Sequence, residues 1–174
     1  MNVRSYSESK RMVETIGISY LKQYGINFLS VRPGHIYGAT ITEDNSRADA
    51  QFLRNVLNGQ DIIMKSEGSQ KRSYCYITDC ITGILTVLLK GKIGEAYNIG
   101  NTLESITIRE YAETLAKFGK VELKFELPNY QEKIGYTSKI NSTLDSKKLQ
   151  SLGWNNKVSL ADGIKKILDI LKYY

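Results

Sequence analysis

Residues 6–34 read YSESKRMVETIGISYLKQYGINFLSVRPG. Val13, Ile16, Tyr20 and Tyr24, flanked by Met12 and Leu21, recur at helical spacing and predict a helix over residues 6–24. Gly25 suits the left-handed position just past a helix end. Asn27 to Arg32 is short, apolar and rich in strand formers, and Pro33-Gly34 closes it. A helix, one glycine and a buried strand make half of a βαβ crossover, so the stretch assigns the chain to the α/β class.

Working outward, residues 40–47 form a polar loop. Residues 48–57 read as a helix, residues 61–65 as a strand, and residues 67–70 as a turn. A strand over residues 73–77 leads to a helix capped by Thr78 or Asp79, with Ile81, Ile84, Leu85 and Leu88 as its inward stripe. Residues 95–99 read as a strand. Thr107 and Glu110 match a capping box for a helix burying Ile108, Tyr111, Ala112 and Leu115. A strand over 121–127, a short helix over 145–152 and a last helix with Leu160, Ile164, Ile167 and Leu171 inward complete the order. The strands are too few and too scattered for one complete doubly wound sheet.

Composition narrows the function. With 41% apolar and 24% charged residues among 174, the chain is of ordinary globular type. Its longest apolar run, residues 81–89, is far short of the roughly 20 residues of a membrane-spanning helix, and MNVRSYSESK shows no signal-peptide core. Cys75 and Cys80 form no CxxC pair and read as reduced packing thiols of a cytoplasmic protein. A single histidine excludes a His-rich zinc site. The net charge of +6 fits an anionic partner. Dispersed lysines and the absence of an aromatic–basic ladder argue against nucleic acid.

The chemistry concentrates at Tyr6 and Lys10, which lie one turn apart on one helix face. A free phenol titrates near ~10. Proton shuttling near neutrality needs roughly 4 kcal/mol of differential stabilisation of the phenolate. A fixed ammonium nearby supplies part of it. The same spacing also fits an exposed tyrosine beside a solvated lysine.

Context adds to this. Arg4 to Arg11 (RSYSESKR), then Tyr24-Gly25-Ile26, then Val31 to Gly38 (VRPGHIYG) resemble the extended short-chain dehydrogenase/reductases, specifically the NAD-dependent nucleotide-sugar epimerase/dehydratase family. Residues 68–79 (GSQKRSYCYITD), 94–101 (GEAYNIGN), 144–149 (LDSKKL), 152–154 (LGW) and 159–164 (SLADGI) continue the likeness in the family's order. The resemblance implies an incomplete Rossmann-type domain, residues 1–40 and 78–100, and a small α/β substrate-binding subdomain, residues 41–77 and 101–174. The family's GxxGxxG phosphate loop has no counterpart here; Gly91 and Gly94 make a lone GxxG. The chain is expected to be the C-terminal portion of a family enzyme.

By that resemblance Tyr6 is the catalytic acid/base and Lys10 binds the nicotinamide ribose. Pro33 and His35 line the cofactor pocket, with His35, where many members have Asn, also touching substrate; a loop histidine bonded to backbone is its other reading. Arg72 binds the nucleotide diphosphate, for which a guanidinium's forked donors are suited, a solvated strand charge being its other reading; Arg47, with Ala48 and Phe52, belongs to the loop–helix segment that closes over the nucleotide and touches substrate. Asn141 stands where relatives carry a second phosphate-binding Arg, with Lys139 nearby. The implied cofactor is NAD, the implied ligand a nucleotide-diphosphate sugar. Three expectations follow: a portion that works with its missing half in trans, a non-catalytic nucleotide-sugar-binding remnant, or a basic interaction module. A strand without its parallel neighbours predicts self-association.

Overall fold

The computed structural model describes residues 3–40, 45–101, 104–127 and 141–172. Helix α1 spans Val3–Tyr24; Gly25, at φ +70°, ends it by donating its N–H to Leu21 O. Strand β1 (Ser30–Pro33) runs parallel to β6 (Ala96–Ile99). The chain does not stop at Pro33-Gly34. Gly34 donates its N–H to Ile99 O and His35 donates its own to Ser73 O, so the strand passes from one partner to the next. It continues as β2 (His35–Tyr37), parallel to β5 (Tyr74–Tyr76). A Cβ on Gly34 would meet Ser73 O at 3.1 Å and Leu144 Cδ1 at 3.2 Å, so a side chain there would press on both.

Helix α2 (Ala48–Leu57) and strand β3 (Ile62–Met64) follow, with β3 parallel to β8 (Leu123–Phe125). Strand β4 (Lys71–Arg72) lies between antiparallel β7 (Ile106–Thr107) and parallel β9 (Asn141–Ser142). Helix α3 spans Ile77–Lys90 and α4 spans Ile108–Gly119, the latter opened by the expected Thr107–Glu110 capping box. Helices α5 (Lys147–Gln150) and α6 (Leu160–Leu171) close the chain.

Two cores form. The larger gathers Phe52, Leu53 and Val56 of α2, Leu115 of α4 and Ile164 and Ile167 of α6 over β3 and β5. The smaller gathers Val87, Tyr97, Ile99, Leu149 and Trp154. Strand β5 serves both, because alternate residues point to opposite faces: Tyr74 and Tyr76 enter the larger core and Cys75 the smaller.

Three local expectations are corrected. Helix α3 starts after Tyr76, not at Thr78 or Asp79, and Asp79 lies buried inside its first turn. The side of α3 turned inward carries Cys80, Gly83 and Val87, while Ile81, Ile84, Leu85 and Leu88 are exposed. The expected stripe of α1 behaves alike: Met12, Val13, Ile16, Tyr20 and Tyr24 are exposed, and Glu14, Gly17, Ile18 and Leu21 face the strands. A stripe period shows that one face is apolar, not what lies against it.

Candidate active site

Tyr6 and Lys10 sit near the N-terminus of α1. Both are exposed, and the Lys10 ammonium lies 5.4 Å from the Tyr6 ring centroid, so the two share one face as their spacing requires. Their position along β1 follows from three contacts. A Cβ on Gly17 would fall 2.3 Å from the Phe28 ring, which shows how closely that ring lies on the helix. One turn earlier, Glu14 accepts from Ser30 Oγ at 3.2 Å and from Arg32 Nε at 2.6 Å. Helix and strand are therefore antiparallel. At 1.5 Å per helical residue, Lys10 lies about 6 Å and Tyr6 about 12 Å beyond Glu14. At about 3.3 Å per strand residue, His35 lies about 10 Å beyond Arg32. Tyr6 and Lys10 thus come level with the carboxyl end of β1, where Pro33 is exposed and His35 half-buried.

The Glu14–Arg32 pair is two-pronged, with Nη2 to Oε2 at 2.5 Å. Its hydrogen bonds and charge hold the Glu14 carboxyl below the usual carboxylate range. It fixes the helix that carries the phenol to the strand that carries the pocket.

His35 lies on β2 in register with Tyr74 of β5, whose ring it meets edge-on at 5.9 Å. Tyr74 stacks on Tyr111 of α4 at 4.6 Å, and Tyr37 packs edge-on against both. Burial pushes all three phenols upward, so they are neutral packing groups. Ser73, one residue before Tyr74, faces the other way and accepts the N–H of Leu144 on its Oγ. Arg72, two residues before Tyr74, is half-buried and is steadied by Gln70 Oε1 at 2.6 Å and by Lys71 O at 3.0 Å. Arg47 stands at the N-cap of α2 and pairs with Asp49 at 3.0 Å. It borders a cleft of ≈ 100 Å³ lined also by Tyr37, Asn45, Asp49, Ile77 and Tyr111. Desolvation first, then the charges of Arg47 and Arg72, press the His35 imidazole below its usual range, while Asp49 opposes them. The structure thus brings His35, Arg47 and Arg72 into one electrostatic neighbourhood. Among the described residues, no hydrogen bond or ion pair joins this group to Tyr6 or Lys10.

Asn141 lies on β9 beside β4, where its Oδ1 accepts the Lys71 N–H at 3.2 Å; Lys139 lies outside the described residues. The tyrosine floor was not singled out in the sequence, although alternate Tyr74 and Tyr76 on a short strand signal one aromatic face. Among the described residues no helix is long and apolar enough to cross a membrane, and no His/Cys/Asp/Glu group could hold a metal ion.

The phenol and ammonium of Tyr6 and Lys10 are donors suited to the hydroxyls of a ribose. The 174 residues hold no GxxGxxG loop of the kind that seats a pyrophosphate.

A family model described as the NAD dependent epimerase/dehydratase family matches residues 2–100. UDP-glucuronic acid decarboxylase 6 of Arabidopsis thaliana is 32% identical over 165 residues, 94% of this chain and 47% of that protein. Human dTDP-D-glucose 4,6-dehydratase is 28% identical over 166 residues, with the same two shares. Among solved structures, UDP-glucose 4-epimerase of Thermotoga maritima with UDP-glucose superposes with a TM-score of 0.83 at 23% identity, covering 97% of this chain and 53% of that one. UDP-glucuronic acid 4-epimerase of Bacillus cereus, in complex with UDP-glucuronic acid and NAD, gives 0.74 at 25% identity, covering 92% and 50%. The chain spans about half the length of the curated relatives it matches.

Proposed function

Because this chain belongs to the NAD-dependent epimerase/dehydratase family, we propose that it carries the proton-transfer residues and the substrate pocket of a nucleotide-sugar enzyme whose dinucleotide-binding half lies outside these 174 residues. The observation that supports this reading is Tyr6 and Lys10 on one exposed face of α1, the helix that Glu14 ties to Arg32, three residues before His35.

In this reading Lys10, with Pro33 and His35, would hold the nicotinamide end of NAD, which would supply the hydride acceptor for oxidation of a sugar carbon. Tyr6 Oη takes the proton of the hydroxyl on that carbon and returns it when the carbonyl is reduced again. Lys10 holds the phenolate by charge and a ribose hydroxyl by hydrogen bond. Arg47 and Arg72 grip the diphosphate and set the sugar's orientation, and Glu14 and Arg32 keep the phenol at the depth of the sugar. Relatives include a decarboxylase and a dehydratase by name. The reading covers the shared oxidation and leaves the subsequent step open.

Two measurements test it. Calorimetry of the 174-residue chain should give heat with UDP-glucose or dTDP-glucose and none with NAD. Placing a GxxGxxG-bearing half ahead of Met1 should add NAD binding, and Tyr6→Phe should then abolish turnover while sugar-nucleotide binding persists. Equal turnover by the Tyr6→Phe enzyme would refute the assignment.

A further inference from the structure

Resting on the nucleotide-sugar reading of this pocket, we infer that His35 takes up a proton when the diphosphate binds, becoming a third positive group on the anion beside Arg47 and Arg72. The geometry begins with registry. His35 pairs with Tyr74 across β2 and β5 and touches its ring at 5.9 Å. Arg72 precedes Tyr74 by two residues in extended chain, so it shares the Tyr74 face, about 7 Å further along. Ser73, between them, points to the opposite side. From α2 the pocket receives the Arg47–Asp49 pair, and from α4 the neutral Tyr111 behind Tyr74. The charged groups whose fields reach His35 are two cations and one carboxylate, and that carboxylate is already paired with one of the cations.

Unliganded, the half-burial of the ring first and this surplus of positive charge second favour neutral imidazole. A diphosphate seated on the two guanidiniums reverses the sign of the local field. The ring then faces phosphate oxygens, and its protonated form gains a charge-assisted hydrogen bond. An asparagine here could donate a hydrogen bond but could not change charge. His35 therefore makes the diphosphate affinity sensitive to pH.

The chain contains one histidine, so one imidazole resonance reports the group without assignment. The pH titration of that resonance by NMR, with and without saturating UDP-glucose, whose diphosphate has no titrating group near neutrality, provides the test. The midpoint should lie below 6.5 in the free chain and rise by about one unit with ligand. UDP-glucose affinity should then tighten about tenfold from pH 7.5 to the acid side of both midpoints. His35→Asn should bind with one affinity across that range. Binding with an unmoved midpoint would overturn this inference and leave the pocket reading intact. Failure of UDP-glucose to bind at any pH would overturn both.

Discussion

Asp79 offers a demanding test of how the two cores are joined. It is 4% exposed, and one carboxylate oxygen accepts the backbone N–H groups of Lys157 and Val158, each at 3.0 Å. Its own carbonyl accepts the indole N–H of Trp154 at 3.1 Å. One residue of α3 thus holds the segment that leads into α6. Asp79→Ala leaves the carbonyl in place and removes both carboxylate acceptors. The buried Val158 N–H then loses its partner at a cost of about 1–3 kcal/mol, while water replaces part of the Lys157 bond at roughly 0.5–1.5 kcal/mol. A gain of about 0.5 kcal/mol in helix propensity partly offsets this. The net loss should be about 1–4 kcal/mol, a fall of roughly 3–12 °C in Tm for a chain of this size. Asp79→Asn keeps an oxygen that can accept both bonds without the charge, and should cost about 1 kcal/mol. Urea unfolding followed by the single tryptophan, Trp154, reads the same junction directly. A loss under about 0.5 kcal/mol for Asp79→Ala, or equal losses for the two variants, would refute the bracing role.

Other consequences can be measured on the same chain. A Cβ at Gly163 would fall 2.3 Å from Tyr37 Oη and 2.9 Å from its ring, so Gly163→Ala should destabilise by about 1–3 kcal/mol in urea despite its better helix propensity. Leu85→Lys with Leu88→Lys, on the exposed face of α3, should leave unfolding within about 0.5 kcal/mol of wild type and reduce self-association in sedimentation velocity. The depressed His35 means that the unfolded chain binds more protons just below pH 6.5. Stability should fall as pH drops through that value, and again below 4.5 as Glu14 and Glu110 protonate; His35→Asn should lose only the first step in denaturation curves taken at stepped pH. Burial pushes the Cys75 thiol up to about 12 and raises Cys80, so alkylation at pH 8 should proceed only at the rate of unfolding.

What the sequence made legible was local. The capping box of α4 spans four residues, Thr107 to Glu110, and the helix begins where it places it. Helix α2 occupies the residues its pattern indicates. Strands β4, β7 and β9 are two residues each, too short to carry a period, and exist because β4 finds partners 35 and 70 residues away. Strand β2 follows a Pro-Gly pair that reads as a stop, but Tyr74 to Tyr76 supply a ladder that the local signal cannot foresee. Asp79 fits the profile of a helix cap, and its carboxylate instead serves backbone nearly eighty residues later. At the site, Tyr6 and Lys10 were readable from a single helical turn. The common field of His35, Arg47 and Arg72 depends on three elements meeting, and the resemblance, not the spacing, pointed to it.

The exposed stripes of α1 and α3 connect this folding argument to the chemistry. Parallel strands are ordinarily covered on both faces, yet β1 pairs only with β6 among the described residues and leaves Arg32 and Pro33 exposed. Alongside it α1 turns Val13, Ile16 and Tyr20 to solvent, with Tyr6 at 58% exposure. In water, opposite unit charges about 5 Å apart attract by only about 0.8 kcal/mol; at an effective dielectric constant near 20 the attraction is about 3 kcal/mol. Only the second value approaches the roughly 4 kcal/mol that a proton-shuttling phenol requires. A polypeptide laid on α1 would bury the apolar stripe and strengthen the attraction between the Tyr6 and Lys10 charges, which favours the phenolate only where that attraction exceeds the phenolate's own desolvation. Activity should thus depend on coverage even where the pyridine cofactor is supplied in excess. When a GxxGxxG-bearing half is supplied as a second chain, Val13→Lys, which touches neither cofactor nor sugar in this reading, should weaken its association with these 174 residues and reduce turnover in proportion. Full turnover from a Val13→Lys chain that no longer associates would break the link between burial and proton transfer.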